Sequence, residues 1–383
     1  MTAVAGAVHS VVLTTESRQP SGVGAHMLEL ARQLTADRDD RAGARPAYDV
    51  TVAAPAGPDA RWLLDQADRL GVATWALPDD EPRVQAAVFG TLLRRSRPDL
   101  VHLHAGIDWE GHFFAHATRD ASVPGLVRTE HLPFLITTDW QDADYRAALP
   151  LHDAVICVSD GVAESHRAAG VPEEVIRVVR NGISTPHPTR GRAEIRAELG
   201  VDEDAPLAVT VGRLTEQKGH ATLLDAVPAI LAAVPRARFV WVGRGPLEAQ
   251  LVRAIDDRDL AGAITLVPTW DDVPSLLAAG DVTVFASRFE GLPLVALEAM
   301  AVGRPVVGTR VIGLEEAVLD GITGRLVPPD DPSALAAALI ELMTDPARVT
   351  TFGDAGRERQ RSEFGAARMA AEVAAVYEEV FVR

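Results

Sequence analysis

Of 37 basic residues in the chain, 36 are arginine and one is lysine, Lys218. It ends the segment Val211-Gly212-Arg213-Leu214-Thr215-Glu216-Gln217-Lys218, which leaves an apolar run and precedes a helical one. Arg213 and Lys218 therefore share a post-strand loop. A guanidinium clamps a phosphate through its planar fork, and an ammonium adds a compact point charge. Fixed cations of this kind stabilise the charge that grows on a departing diphosphate. The bland alternative is a lysine left by chance on a solvated loop.

A second segment, Phe285-Ala286-Ser287-Arg288-Phe289-Glu290-Gly291-Leu292-Pro293-Leu294-Val295-Ala296-Leu297-Glu298, leaves another apolar run. Pro293 suits a first helical position, where its missing N–H costs nothing. The amides of Gly291, Leu292, Leu294 and Val295 would then stand near a helix N-terminus, which favours phosphate. Glu298 falls about a turn and a half along that helix, where a carboxylate can accept two hydrogen bonds from vicinal hydroxyls such as those of a ribose. Either glutamate alone reads as a surface carboxylate. Each following a strand beside Arg213 and Lys218, they read as a site.

The remaining candidates are weaker. Pro20-Ser21-Gly22-Val23-Gly24-Ala25-His26 opens a helix, and Gly22 and Gly24 would let backbone amides approach an anion. Met27 stands where a dinucleotide fingerprint has its third glycine, and a tight turn without ligand is the alternative. His131 closes Arg128-Thr129-Glu130-His131 just past a strand. His102 and His104 alternate onto one strand face, but no third ligand with metal spacing accompanies them, so no metal is expected. Asp142 and Asp144 read as a helix start, and Asp202 and Asp204 as a turn. Cys157, the only cysteine, sits in the apolar run Ala154–Val158 and reads as a core thiol.

These loops must be held by something, and the chain supplies strand, loop and helix in alternation. Short apolar runs read as buried parallel strands at Val8–Thr14, Tyr48–Ala53, Ala73–Ala76, Leu100–Leu103, Gly125–Thr129, Ala154–Val158 and Val175–Val179. A second set follows at Leu207–Val211, Arg238–Val242, Ile264–Val267, Val282–Phe285, Pro305–Val307 and Gly324–Val327. Helical stretches separate them, among them Gly24–Ala36, Ala221–Ala233, Pro293–Ala301 and Pro332–Met343. The pattern predicts an α/β chain of two Rossmann-like, doubly wound domains. The Pro- and Thr-rich stretch Asn181–Arg190 reads as their linker. We place the domains at residues 1–185 and 186–365, with a final helix in 366–383 that could cross back. The carboxyl ends of such sheets are expected to face one cleft.

Composition excludes several classes. At 383 residues, 47% hydrophobic and 24% charged, the chain is ordinary globular protein. Its net charge of -17 would repel nucleic acid. No run of about 18 apolar residues occurs, so no membrane segment is expected. The N-terminus carries no Lys or Arg before its apolar stretch, which argues against a signal peptide. The chain reads as cytoplasmic, and its oligomeric state cannot be read from the sequence.

In order along almost the whole chain, five blocks resemble glycosyltransferase family 4, the retaining sugar transferases of GT-B fold. They are the glycine loop Pro20–Gly24, Thr129–His131, Asn181-Gly182, Gly212–Gly219, and the pair Glu290 and Glu298. The resemblance implies that Arg213 and Lys218 hold a donor diphosphate, Glu298 the nucleotide ribose, and Glu290 the donor-sugar hydroxyls. His131 would sit by the transferred sugar, and Gly22 and Gly24 by phosphate or acceptor. Arg244 and Gly245, with Thr269 and Trp270, match segments that enclose the base. Arg180 and Ser184 depart from the family's usual Pro and Asp around Asn-Gly, and Arg244 replaces a common acidic residue.

The expected reaction moves a hexose-type sugar from a nucleoside-diphosphate sugar to a hydroxyl, with no cofactor and no metal. UDP, GDP, ADP and TDP donors all satisfy these residues. Arg94, Arg95 and Arg97 cluster before Pro98, but they suit a helix C-terminus. The charge balance favours a small soluble acceptor over a lipid. A nucleotide-sugar epimerase or phosphorylase on the same fold, or a non-catalytic sugar-nucleotide binding protein, are the alternatives. A nicotinamide dehydrogenase fits less, for want of the complete glycine fingerprint.

Overall fold

A computed structural model of the chain describes residues 8–36, 48–57, 61–107 and 109–382. Residues 1–7, which bear most of the leader argument, lie outside the described residues. The chain divides into two compact units, Met1–Ser184 with Ala366–Arg383, and Thr185–Gly365.

Among the described residues the first unit carries seven strands: β1 (His9–Thr14), β2 (Tyr48–Pro55), β3 (Ala73–Leu77), β4 (Leu100–Ala105), β5 (Gly125–Glu130), β6 (Ala154–Cys157) and β7 (Ile176–Val178). All pairings are parallel, in the order β3-β2-β1-β4-β5-β6-β7. β4, β5 and β6 are buried along their whole length. That is why they read as unbroken apolar runs rather than alternating ones. The order reverses between β1 and β4, so the loops leaving those two strands diverge at the sheet's carboxyl edge, where open α/β sheets bind ligands.

The helix Ala366–Phe381 closes the core of this same unit. Its buried residues Met369, Val373, Val376, Tyr377 and Val380 recur at spacings of three and four, one stripe of an α-helix. They pack with Val11, Leu13, Val50 and Val52 of β1 and β2. Each such side chain contributes roughly 1.5–3 kcal/mol of transfer free energy. The helix is tied at its start by the Ala366 amide donating to the Ile183 carbonyl at 3.0 Å.

The second unit carries β8 (Leu207–Val211), β9 (Arg238–Val242), β10 (Ile264–Val267), β11 (Val282–Phe285), β12 (Val306–Thr309) and β13 (Gly324–Val327). These are again all parallel, in the order β10-β9-β8-β11-β12-β13. Here the reversal falls between β8 and β11, which pair through Ala208 and Val282. β12 begins at Val306 rather than the expected Pro305, whose nitrogen has no proton for the ladder. Trp241 and Phe239 of β9 and Leu335 and Leu339 of the helix Pro332–Met343 sit in one core cluster. Among the described residues no helix is long and apolar enough to cross a membrane.

Candidate functional site

The switch point of the second unit brings the lysine loop and the glutamate loop side by side. After β8 the chain makes a short 3-10 turn over Glu216–Lys218 and then enters the helix His220–Ala233 through Gly219. Gly219 has φ +63°, and a Cβ there would stand 1.9 Å from the Ala286 carbonyl oxygen. Only glycine permits this approach. It lets the Arg288 amide donate to the Gln217 carbonyl at 2.8 Å, and the Gln217 carboxamide donate to the Phe289 carbonyl at 3.1 Å.

Lys218 Nζ thereby reaches Glu290 Oε1 at 2.6 Å. The Ser287 hydroxyl donates to the same oxygen at 2.6 Å. Glu290 and Ser287 are buried, and the lysine side chain is 19% exposed. A bonded carboxylate in this position is held to one orientation by two donors. Arg213 lies exposed at the mouth of the loop, with a guanidinium nitrogen 3.4 Å from Gln217 Oε1. Lys218 and Glu290, expected at the diphosphate and at the sugar hydroxyls of one ligand, are in direct contact.

Pro293 is the residue before the helix Leu294–Ala301, with φ -68° and ψ 121°, and not its first helical residue. The extended ψ excludes it from the helix. Gly291 and Leu292 are buried, and the Ala296 amide is taken by the Pro293 carbonyl at 3.1 Å. Glu298 follows on the same helix, and burial pushes its carboxyl up to about 7. Arg244 and Gly245 brace the lysine loop from the other side. The Leu214 amide donates to the Arg244 carbonyl at 2.8 Å, and a Cβ on Gly245 would stand 2.3 Å from the Leu214 carbonyl oxygen. Thr269 and Trp270 line a hollow with Arg190, Glu198, Asp271 and Asp272, a lining that includes neither Lys218 nor Glu290.

In the first unit the helix begins at Gly22, two residues before the expected start. The Gly24 amide is consequently inside the first turn and donates to the Ser21 hydroxyl at 3.2 Å. A Cβ on Gly24 would stand 3.0 Å from the Trp62 ring, so close packing explains this glycine without a ligand. Gly22 is exposed, with open space around its Cα.

His131 is buried at the end of β5, and its Nε2 lies 3.2 Å from Nδ1 of His104. His26, from the helix Gly22–Ala36, packs edge-on against His131 with ring centroids 4.8 Å apart. One ring nitrogen from each of His26, His104 and His131 lies within 4.8 Å of the other two. The sequence offers no third partner for the pair His102 and His104. The fold supplies two for His104, from another strand end and from a helix. His102 is spent elsewhere, on Tyr377 Oη and Thr129 Oγ1, each at 2.7 Å. Burial lowers the pKa of all three rings of the cluster, to about 4 for His26 and well below the usual value for His104 and His131.

Nearby, burial and then the Glu110 charge push the Glu16 carboxyl up to about 7. Arg128 and Glu130 form a buried ion pair at 2.5 Å. Asp142 pairs with Arg146 at 2.7 Å, and Arg236 bonds Asp204, so one member of each acidic doublet is held in a surface ion pair. Arg94 and Arg95 occupy the last turn of the helix Pro82–Ser96, which Arg97 ends in the left-handed conformation. Cys157 is buried. Ser287 and His26 are the site residues that motif spacing overlooked. The signal for Ser287 was its place three before Glu290.

Two families match the chain in turn, Glycosyltransferase Family 4 over residues 20–186 and Glycosyl transferases group 1 over residues 205–345. Alpha-maltose-1-phosphate synthase of Mycolicibacterium smegmatis is 36% identical over 256 residues, 61% of this chain and 65% of that protein. The chain thus spans less than two thirds of that relative's length. The lipopolysaccharide core biosynthesis mannosyltransferase LpsB of Rhizobium meliloti is 30% identical over 310 residues, 77% of this chain and 88% of that protein. Among solved structures, Anabaena HepE in complex with UDP-glucose superposes with a TM-score of 0.81 at 19% identity, covering 97% of this chain and 99% of that one. That likeness establishes the fold: two Rossmann-like domains of GT-B type.

Proposed function

The chain belongs to glycosyltransferase family 4, and from that premise we propose that it transfers a hexose-type sugar from a nucleoside-diphosphate sugar to a hydroxyl of a small soluble acceptor, with retention at the anomeric carbon. The observation that carries this reading is the Lys218–Glu290 pair at 2.6 Å, on the two loops that leave the switch point of the second unit. An ammonium suited to phosphate charge and a carboxylate suited to sugar hydroxyls so close together support this reading. The named activities of the synthase and of LpsB, and the UDP-glucose held by HepE, support a sugar nucleotide as donor.

In the proposed step the bond from C1 to the diphosphate oxygen breaks while the acceptor oxygen bonds C1 on the same face. The acceptor proton passes to the departing diphosphate. Lys218 and Arg213 stabilise the charge gathering there, a task of position and electrostatics. Glu298 holds the ribose and Glu290 the sugar hydroxyls. His131 belongs beside the transferred sugar. No divalent metal is assigned to the diphosphate.

The test is product formation. Purified protein is incubated with each nucleotide sugar and a panel of hydroxylated acceptors, and nucleoside diphosphate release and product anomer are read together. Acceptor-dependent release with an α-linked product from an α-donor is expected. Interconversion of sugars without an acceptor would indicate an epimerase, dependence on inorganic phosphate a phosphorylase, and binding without release a non-catalytic receptor.

A further inference from the structure

We propose that the protein pairs with a second copy of itself through the edge strand β3 and the outer side of the helix Pro82–Ser96, as a two-fold dimer. The proposal uses the first unit alone and does not rest on the reading of the donor loops. Three observations carry it.

The first is an open sheet edge. β3 ends the strand order and, among the described residues, pairs with β2 only. The Leu77 carbonyl accepts from the Ala56 amide beyond β2 at 2.9 Å. Backbone groups of successive strand residues point to alternate sides, so those of Thr74 and Ala76 face away from β2. Such a row is a template for another strand, and charges, proline or a covering element ordinarily protect it. The strand Ala-Thr-Trp-Ala-Leu has neither charge nor proline, and Ala73 and Ala76 are exposed. The opposite edge of the same sheet, β7, carries Arg177, paired with Glu379 of the helix Ala366–Phe381 at 2.8 Å.

The second is an apolar stripe beside that edge. Val84, Val88, Leu92 and Arg95 recur at spacings of four, four and three, one side of the helix. Val84 is 41% exposed and Val88 38%. Leu92, Arg95 and Ser96 line a hollow with Trp75 of β3, which sets this side of the helix toward the open edge. Antiparallel pairing of β3 with its copy, about a two-fold axis at Trp75, lays the two helices antiparallel on one face of the joined sheet. Stripe then meets stripe, the self-complementary contact that two-fold symmetry requires.

The third is charge. The helix is entered through Asp80 and Glu81 and left through Arg94, Arg95 and Arg97, all exposed. Asp79 is engaged by Arg18 at 3.2 Å, whereas Asp80, Glu81, Arg95 and Arg97 form no ion pair among the described residues. The two-fold arrangement sets the acidic end of each helix against the basic end of the other. A partner of one charge sign would match one end and be repelled at the other, so the pattern selects a second copy. β10, an uncharged edge of the second unit, lacks this device: the helix leading into it, Glu248–Asp257, carries acidic residues at both ends.

The test is sedimentation velocity on the full-length protein over a wide concentration range, with amide hydrogen exchange at its two ends. A concentration-dependent dimer is expected, in which the Thr74 and Ala76 amides exchange more slowly. Val88→Glu puts a charge in the apolar seam, and Arg95→Glu sets like charges opposite; each is expected to raise the dimer dissociation constant at least about tenfold. Glu81→Arg combined with Arg95→Glu exchanges the two ends and is expected to restore association. Val252→Glu, at an exposed position of the second unit, should leave the dimer unchanged. A protein monomeric at every concentration, a dimer whose Thr74 and Ala76 amides gain no protection or which ignores Val88→Glu and Arg95→Glu, a double variant no tighter than Arg95→Glu alone, or equal loss with Val252→Glu would each overturn the interface.

Discussion

Lys218 Nζ stands 2.6 Å from Glu290 Oε1, although 72 residues separate them in sequence. The lysine stem also runs past Gly212, whose added Cβ would meet Lys218 Cε at 3.5 Å. A guanidinium is wider and planar, and presents its donors as a fixed fork rather than as a point charge aimed at one oxygen of Glu290. Lys218→Arg is therefore expected to lose most turnover and keep a normal melting curve. A wild-type rate from a folded Lys218→Arg protein would remove the special role of this lysine.

Glu298 supplies a pH signature. Burial raises its carboxyl from 4.5 to about 7. Between those values the folded protein holds a proton there that the unfolded chain has released, so this group's contribution to stability falls as pH rises through the window. Glu298→Gln cannot ionise and escapes the loss. It is expected to be more stable than wild type at about pH 8 by roughly 3 kcal/mol at most, and equal to it at about pH 4. Urea midpoints across that range measure this; a difference independent of pH would contradict it. The same variant should bind donor more weakly, since its carboxamide offers the two ribose hydroxyls one acceptor oxygen where the carboxylate offers two.

Arg128 and Glu130 are a buried ion pair, 2% and 1% exposed. Removing one member leaves the other charge without its counter-ion, which costs about 3–5 kcal/mol. Arg128→Met is expected to destabilise by that order, and Arg128→Met with Glu130→Leu to recover much of it. Equal destabilisation by the single and double changes, in chemical denaturation, would show that the pair's charges are not the cause.

The donor reading assigns phosphate charge to Lys218 and Arg213 and not to a divalent ion. Turnover is thus expected to survive an excess of chelator. Strong loss, restored by manganese or magnesium, would reverse that assignment.

The α/β class was readable because strands buried on both faces are short apolar runs, as in Leu207–Val211 and Val282–Phe285, whose ends the structure reproduces. Boundaries slipped where a local rule competed. Pro293 satisfied the preference for a first helical position, yet its extended ψ leaves it outside the helix. The helix begins at Gly22 and not at Gly24, although glycine is a poor helix former, and the Ser21 hydroxyl that accepts from the Gly24 amide offsets that cost. Contacts across the chain were the least legible. Nothing in the spacing of His102 and Tyr377 tells that they meet at 2.7 Å, because the chain end returns to its first sheet only in three dimensions. The same holds for His26, which joins His104 and His131 from a different element.

The central claim is that the switch-point loops of the second unit hold a nucleoside-diphosphate sugar, and donor-induced thermal stabilisation tests it most directly. UDP-, GDP-, ADP- and TDP-sugars are screened against wild type and against Lys218→Met and Glu298→Gln. One base is expected to raise the melting temperature of wild type, with stabilisation of about 2.7 kcal/mol at a hundredfold excess over Kd, and both variants to lose most of the shift. A folded wild-type protein that none of these nucleotides stabilises, or equal shifts in all three proteins, would contradict it.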